Sequence, residues 1–352
     1  NASPIMSASP LTDRRSPRVL IVRLSAIGDV IQTLPVLSAL RGRFPDAFLA
    51  WVVEQRASDL LQGHEALDEL IVVPRGFLKS PRTVLEMRAR LRAMKFDVVL
   101  ETQGLSKSAL VAWLSGCRRR IGFRGTWGRE ISPWLNTELV DGDGVHIVER
   151  NLRLLQPLGI DRPEARFHVP QTAADQAEAE RILCEIGIAG PFAIINSGAA
   201  KSRLWPASRF AAVARHLGTT WNLPTVVVWA GQDEHRRAGE VVASAVEHAR
   251  LAPATTLREL AAVARRARLF LSSDTGPLHL AAAVGTPCVG LYGPWPADRH
   301  GPYGPKNISI QKMYFTGGSR QRRQASSVYM EAIDVPTVCA ACDEILGAGS
   351  ES

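Results

Sequence analysis

Residues 269–284 read LFLSSDTGPLHLAAAV. An apolar run ends in two serines, the small-residue turn Asp274-Thr275-Gly276 follows, and Pro277 opens a helical pattern. Proline suits a first helical position because the N–H it lacks would have no intrahelical partner there. The stretch therefore predicts a strand over 269–273, a tight turn and a helix over 277–284. A turn of this kind aims backbone N–H groups and the positive end of a helix dipole at one point, which suits a diphosphate without a metal. Thr275 adds a hydroxyl donor, and His279 stands one turn into the helix. Asp274 fits an ordinary helix cap as well as a binding-loop carboxylate.

The same rhythm extends in both directions. In the second half, strands are expected over 192–196, 225–230, 269–273 and 288–292. Helices are expected over 206–217, 233–246, 257–266 and 277–284, the third opened by a capping box of Thr256 and Glu259. In the first half, the run RVLIVRL over 18–24 is a strand, followed by SAIGD and a helix over 30–41. Strands over 48–53, 69–73 and 97–101 alternate with helices over 57–63, 81–94 and 106–115. Such alternation indicates βαβ units and parallel sheets, so the fold class is α/β. Residues 158–172 carry Gly159, Pro163 and Pro170 with little periodicity and are read as a linker. Two Rossmann-like domains are expected, over 17–165 and 170–330, with a last helix over 337–346. Ligands of such sheets bind outside the carboxyl ends of the strands.

The 352 residues are 46% hydrophobic and 22% charged, with a formal charge of +8. This balance favours an acidic partner. Arginines are spread along the chain without a basic-aromatic repeat, which argues against nucleic acid. Cys117, Cys184, Cys288, Cys339 and Cys342 have no framework spacing, so reduced thiols and a cytoplasmic location are expected. Cys339-x-x-Cys342 sits in an apolar helical pattern and reads as two packed helix residues, not a redox pair. Residues 1–17 are polar, with no apolar core of a secretory signal, and Met6 is the expected natural start. No apolar run reaches the roughly 18–20 residues of a membrane span, so a soluble protein able to rest on a membrane surface is expected.

Three further loops carry candidates. In Ser25-Ala26-Ile27-Gly28-Asp29, Gly28 permits a tight turn and Asp29 sits at a helix start. Asp29 fits a helix cap or a general base kept ionised by the helix dipole. After Asn196, the run SGAAKSRLWP places Lys201 and Arg203 ahead of a helix. Either cation could neutralise a leaving diphosphate, or the loop could be a solvated surface. Glu234, in Gly231-Gln232-Asp233-Glu234, follows a strand as ribose-binding acids do, although helix-start charge accounts for it equally. Asp141-Gly142-Asp143 is formally a metal-binding D-x-D, but its glycines make it a turn. No zinc spacing, P-loop, G-x-S-x-G or G-x-G-x-x-G occurs.

VLIVRLSAIGDVIQTLP, WVVEQ, ETQGLSKSAL, VHIVERN, RLWPASRF, GQDEHRRA, SSDTGPLHLAAAVGTP and LYGPWPADRHGPYG follow one another from Val19 to Gly304. Together they resemble the ADP-heptose:lipopolysaccharide heptosyltransferases, glycosyltransferase family 9. DTGPLHLAAA and SAIGDV are specific on their own, and ETQGLSKSA is most similar to the heptosyltransferase I branch, which adds the first heptose to Kdo. The resemblance implies a GT-B fold, with an N-terminal acceptor domain and a C-terminal donor domain facing a central cleft. It also implies a final helix, 335–348, crossing back to the first domain. Inverting, metal-independent transfer from ADP-heptose to a Kdo-type inner-core acceptor would follow, with no cofactor beyond the nucleotide sugar.

Carried over by position, Asp29 becomes the general base, and Arg203 falls where the family usually has a lysine against the diphosphate. Thr275 and Gly276 would bind the donor phosphates, Asp274 and His279 would shape that loop, and Glu234 would bind ribose. Ser197 and Lys201 complete the donor set. The acceptor set is Arg23, Gly28, Gln103, Lys107, Arg124 and Arg129. Arginine at 203 lacks lysine's point-like geometry, so Lys201 stays a rival for the diphosphate. Trp295 stands where the family more often has threonine, and the basic stretch 320–323 (RQRR) matches none of the motifs quoted above. The implied partners are the nucleotide sugar and an acidic glycolipid, met by a monomer that can touch the cytoplasmic face of the inner membrane. Rival readings are transfer of another nucleotide sugar to a different glycan or protein, a catalytically silent nucleotide-sugar-binding protein, and a sugar epimerase.

Overall fold

The computed structural model describes residues 16–142 and 146–348, so Met6 and Asp143 lie outside the described residues. The chain divides into two compact units, Asn1–His168 and Val169–Ser352.

The first unit is built on six parallel strands: β1 (Arg18–Val22), β2 (Phe48–Glu54), β3 (Glu69–Val73), β4 (Val98–Glu101), β5 (Arg120–Phe123) and β6 (Glu138–Val140). Their spatial order is β3-β2-β1-β4-β5-β6. Val19 pairs with Leu49 on one side and Val98 on the other. Strands covered by helices on both faces read as unbroken apolar runs, which is why β1 and β2 were legible as RVLIV and FLAWVVE. The expected helix over 30–41 is two helices, Ile27–Ile31 and Leu34–Arg43. Pro35 supplies no N–H for the carbonyl four residues earlier, so the first helix stops and a second starts with proline in its first turn.

The second unit repeats the plan with β7 (Ala193–Asn196), β8 (Thr225–Val228), β9 (Ala249–Leu251), β10 (Leu269–Ser273), β11 (Cys288–Tyr292) and β12 (Ile308–Gln311). Its order is β12-β11-β10-β7-β8-β9. Numbered within the unit, this is again 3-2-1-4-5-6. In both sheets the winding reverses beside the first strand, between β1 and β4 and between β7 and β10. A crevice opens at the carboxyl ends there, because the chain leaves the two strands in opposite directions. The expected capping box is present, with Thr256 N donating to Glu259 Oε2 at 2.7 Å and Glu259 N to Thr256 Oγ1 at 3.2 Å.

The last helix, Val335–Ala348, joins the second unit's core, where Val338, Ala341, Cys342 and Leu346 pack in one cluster with Phe210 and Leu217. Its register is fixed by polar contacts to the helix Ala207–Trp221: Asp343 Oδ1 lies 2.8 Å from His216 Nε2 and accepts from Trp221 Nε1 at 2.7 Å. Trp205 Nε1 donates to the Ile333 carbonyl at 2.9 Å just ahead of it. All five cysteines are free. Burial raises the Cys342 thiol, and raises that of Cys339 to about 11. Among the described residues no helix is long and apolar enough to cross a membrane.

Candidate active site

The reversal in the second sheet gathers most of the expected donor residues. Asn196 ends β7, 1% exposed, and its side-chain amide donates to Thr275 Oγ1 and Ser272 Oγ, each at 3.1 Å. One side chain thus ties the β7 loop to the β10 loop. Thr275 spends its hydroxyl on this network, with Ser272 Oγ also at 3.0 Å, and no side chain caps the helix Gly276–Ala283 that follows. A helix start without a cap retains unsatisfied N–H groups and positive potential.

Asp274 lies beneath this turn. Its Oδ2 is 2.8 Å from Arg203 Nη1 and its Oδ1 is 3.4 Å from His279 Nε2. Burial opposes its ionisation, but the His279 bond and the Arg203 charge overcome that and hold the carboxyl well below the usual carboxylate range. Asp274 therefore locks Arg203 and His279 in place as part of an internal ion network. Lys201 shares the short turn Lys201–Arg203, is exposed, and has no ion pair among the described residues.

Glu234 reaches the same loop. Its Oε2 accepts from Ala230 N at 2.9 Å, and a Cβ added at Gly198 would fall 2.3 Å from its Cδ, so any side chain there would push the Glu234 carboxyl aside. Burial raises the Glu234 carboxyl. Ser197 Oγ is buried without a hydrogen-bond partner among the described residues.

In the first sheet the reversal brings the β1 and β4 loops together. Leu24 N donates to Gln103 Oε1 at 3.0 Å. Asp29, third in the helix Ile27–Ile31, takes Ala26 N at 3.1 Å on Oδ2 and Arg23 Nη2 at 2.7 Å on Oδ1. Its side chain is 35% exposed while that of Arg23 is only 4% exposed. Arg23 also donates to the Thr102 carbonyl, so it stands behind Asp29 as a brace and is not open to a ligand. Gly28 lies half-buried in the same short helix. Lys107 Nζ is held by Glu54 Oε1 at 2.9 Å and Ser25 Oγ at 3.0 Å. Arg124 and Arg129 are exposed on the loop after β5, Arg124 donating to the Leu139 carbonyl at 2.7 Å.

Several residues of these networks escaped the sequence reading. Glu101 is fully buried, and its Oε1 accepts from Gln103 N and Gly104 N at 2.9 and 2.7 Å. That shapes the β4 loop, whose Gly104 has φ +68° and whose added Cβ would lie 1.9 Å from the Trp127 carbonyl oxygen. Arg150, 2% exposed, lies over the Trp127 ring at 4.1 Å, and burial and then the Arg23 charge push it down to about 9. Asn151 Nδ2 donates to the Gln32 carbonyl at 3.0 Å. The quoted segments ETQGL and VHIVERN contained these residues, but their partners come from distant loops. Gly142 packs against Arg150, where an added Cβ would lie 2.7 Å from Arg150 Cγ.

Against this geometry, residues 84–328 match the model of "Glycosyltransferase family 9 (heptosyltransferase)". The chain belongs to glycosyltransferase family 9. It is thus a glycosyltransferase of the heptosyltransferase family, whose members act in lipopolysaccharide core biosynthesis. Lipopolysaccharide heptosyltransferase 1 of Salmonella typhimurium is 29% identical over 306 residues, covering 83% of this chain and 93% of that protein. Lipopolysaccharide heptosyltransferase 3 of Escherichia coli is 27% identical over 337 residues, covering 91% and 96%. Among solved structures, E. coli heptosyltransferase WaaC with ADP-2-deoxy-2-fluoro heptose is 25% identical with a TM-score of 0.70, covering 93% of this chain and 99% of that one. The family 9 glycosyl transferase of Veillonella parvula shares the fold at a TM-score of 0.80 and 24% identity, covering 98% and 99%. The family 9 fold is GT-B, and the two Rossmann-like units described above are its two halves.

Proposed function

We propose that this family 9 enzyme moves a heptose from ADP-heptose to an acidic, Kdo-type inner-core glycolipid, with inversion and without a metal. Asn196 carries the reading, because it fastens an uncapped helix start and the cation-bearing loop of Lys201 and Arg203 into one anion-binding crevice at a Rossmann switch point. The E. coli relative solved with an ADP-heptose analogue supports the choice of donor.

In this mechanism Asp29 takes the proton from the acceptor hydroxyl as its oxygen attacks the anomeric carbon. Arg23 and the Ala26 N–H hold the carboxylate, and its exposed edge meets the acceptor. Attack comes from the face opposite the diphosphate, so the anomeric configuration inverts. Negative charge builds on the leaving ADP, and the amides of the Thr275-Gly276 turn with the cations of the β7 loop stabilise it. Glu234, beside Gly198, is the candidate partner for ribose hydroxyls. The first unit is assigned the acceptor and the second the donor. A membrane-borne acceptor also fits Trp134, 88% exposed on the first unit between Arg129 and the next strands.

Calorimetric titration with ADP, UDP and GDP in EDTA tests the donor. Selective ADP binding is expected. Preference for UDP or GDP would leave the transferase standing and remove ADP-heptose as its donor.

A further inference from the structure

The basic segment over residues 317–327 folds beside the proposed donor site. Its helix Ser319–Arg323 approaches the turn Lys201–Arg203, with Cα atoms within 8 Å. Arg322 lies over the Trp295 ring at 5.6 Å, and Trp295 in turn meets His300 edge-on at 5.6 Å. Trp295 lies in the loop after β11 and His300 ends the short helix Ala297–His300 that follows, and the Leu291 carbonyl of β11 accepts from Asp274 N at 3.1 Å. The basic helix is thus joined through two aromatic rings and one turn to the Asp274–Gly276 loop.

In this unit Arg209, Arg215, Arg250 and Arg265 spend guanidinium donors on backbone carbonyls. Arg181, Arg203, Arg236, Arg258 and Arg266 all pair with carboxylates. Arg299, Arg320, Arg322, Arg323 and Lys201 have no carboxylate at ion-pair distance among the described residues. Arg322 is also close enough to Arg299 that, after burial, this like charge lowers its proton affinity. Arg322 Nε is buried without a hydrogen-bond partner among the described residues. Holding like charges together with an orphaned buried donor costs free energy unless an anion relieves it. Arg203 cannot fully serve as that countercharge for a ligand, because Asp274 already neutralises it at 2.8 Å.

We propose that Arg322 and Arg299, with Lys201, supply the net positive charge that binds the donor's diphosphate, and that Trp295 fixes Arg322 for this task by stacking. This rests on the donor-site reading above and deepens it: Arg203 organises the loop, and the basic helix neutralises the leaving group. Arginine suits the role, since its fork pairs with two phosphate oxygens while its flat face rests on an indole.

The test is calorimetry of the full chain with ADP and inorganic pyrophosphate at several salt concentrations. The variants are Arg299→Ala/Arg322→Ala and a control, Arg268→Ala/Lys306→Ala, which removes two exposed charges elsewhere in the unit. The first pair should bind both ligands about tenfold more weakly at low salt, with a shallower salt dependence. The control should stay within twofold of the unaltered protein, and both should keep its thermal midpoint. Affinities of the first pair within twofold of the unaltered protein would overturn the inference. So would an intact donor affinity with a raised acceptor KM, which would assign the cluster to the acceptor. If the unaltered protein itself binds neither ligand, the donor-site reading falls with it.

Discussion

Asp29→Asn separates chemistry from binding at the first-unit site. Asparagine keeps the shape of the side chain and one carbonyl oxygen, but it cannot accept a proton. A positioned general base contributes about 10²–10⁴-fold, so kcat should fall by that factor, roughly 3–5 kcal/mol in the barrier. The structural cost is smaller. The wild-type carboxylate accepts from Arg23 at 2.7 Å and from Ala26 N at 3.1 Å. Asparagine can satisfy only one of the two with its oxygen and turns an amide toward the other. Losing one charge-assisted bond at a site a third exposed costs about 1–2 kcal/mol. That lowers the melting midpoint of a unit the size of the first by about 2–8 °C. The assay is release of ADP from ADP-heptose in the presence of acceptor, alongside calorimetric ADP affinity. Turnover should collapse while ADP affinity stays within about twofold. A variant keeping more than a tenth of wild-type kcat would refute the assignment of Asp29 as the base.

Other substitutions probe the second unit. Asn196→Ala removes the clasp between the two donor loops and should weaken ADP binding about tenfold, read by calorimetry, because Thr275 and Ser272 lose a buried partner. Asp274→Asn breaks a buried ion network and should cost about 3 kcal/mol at pH 7, read as a shift in the urea midpoint. Because the folded Asp274 carboxyl is held below its unfolded value, its contribution is fully present above about pH 4 and is lost as pH falls through the folded value. The gap between wild type and variant should therefore shrink in strong acid. An aromatic disulfide reagent at pH 8 should modify exposed Cys184 fast and Cys339 slowly, leaving Cys288 and Cys342 untouched until unfolding.

Legibility in the sequence followed burial. The central strands β1, β2, β7 and β10 are buried along almost their whole length and mostly apolar because helices cover both faces, and the site loops leave from their polar ends. β6 and β9 have three residues each, with intermediate or exposed positions, too short to carry a pattern. The helix Ala173–Glu185 was missed in the stretch beside the linker, although Thr172 and Asp175 form a capping box there. The destination of the last helix was out of reach for a different reason. Its stripe of Val338, Ala341, Cys342 and Leu346 says that one face is buried, but not against what. Its partners, His216 and Trp221, lie more than a hundred residues earlier and carry no local signal. Arg23 shows the same limit at the site: sequence marks a cation near Asp29, and only the fold shows that it is buried behind the carboxylate.

The most direct trial of the proposed reaction is transfer itself. The protein is incubated in EDTA with ADP-heptose and a Kdo-bearing lipid A acceptor, and both ADP and the glycolipid product are measured. Acceptor-dependent ADP release, with one heptose added in inverted configuration, is the expected result. ADP-heptose left intact beside a competent acceptor, while another nucleotide sugar is consumed, would contradict it.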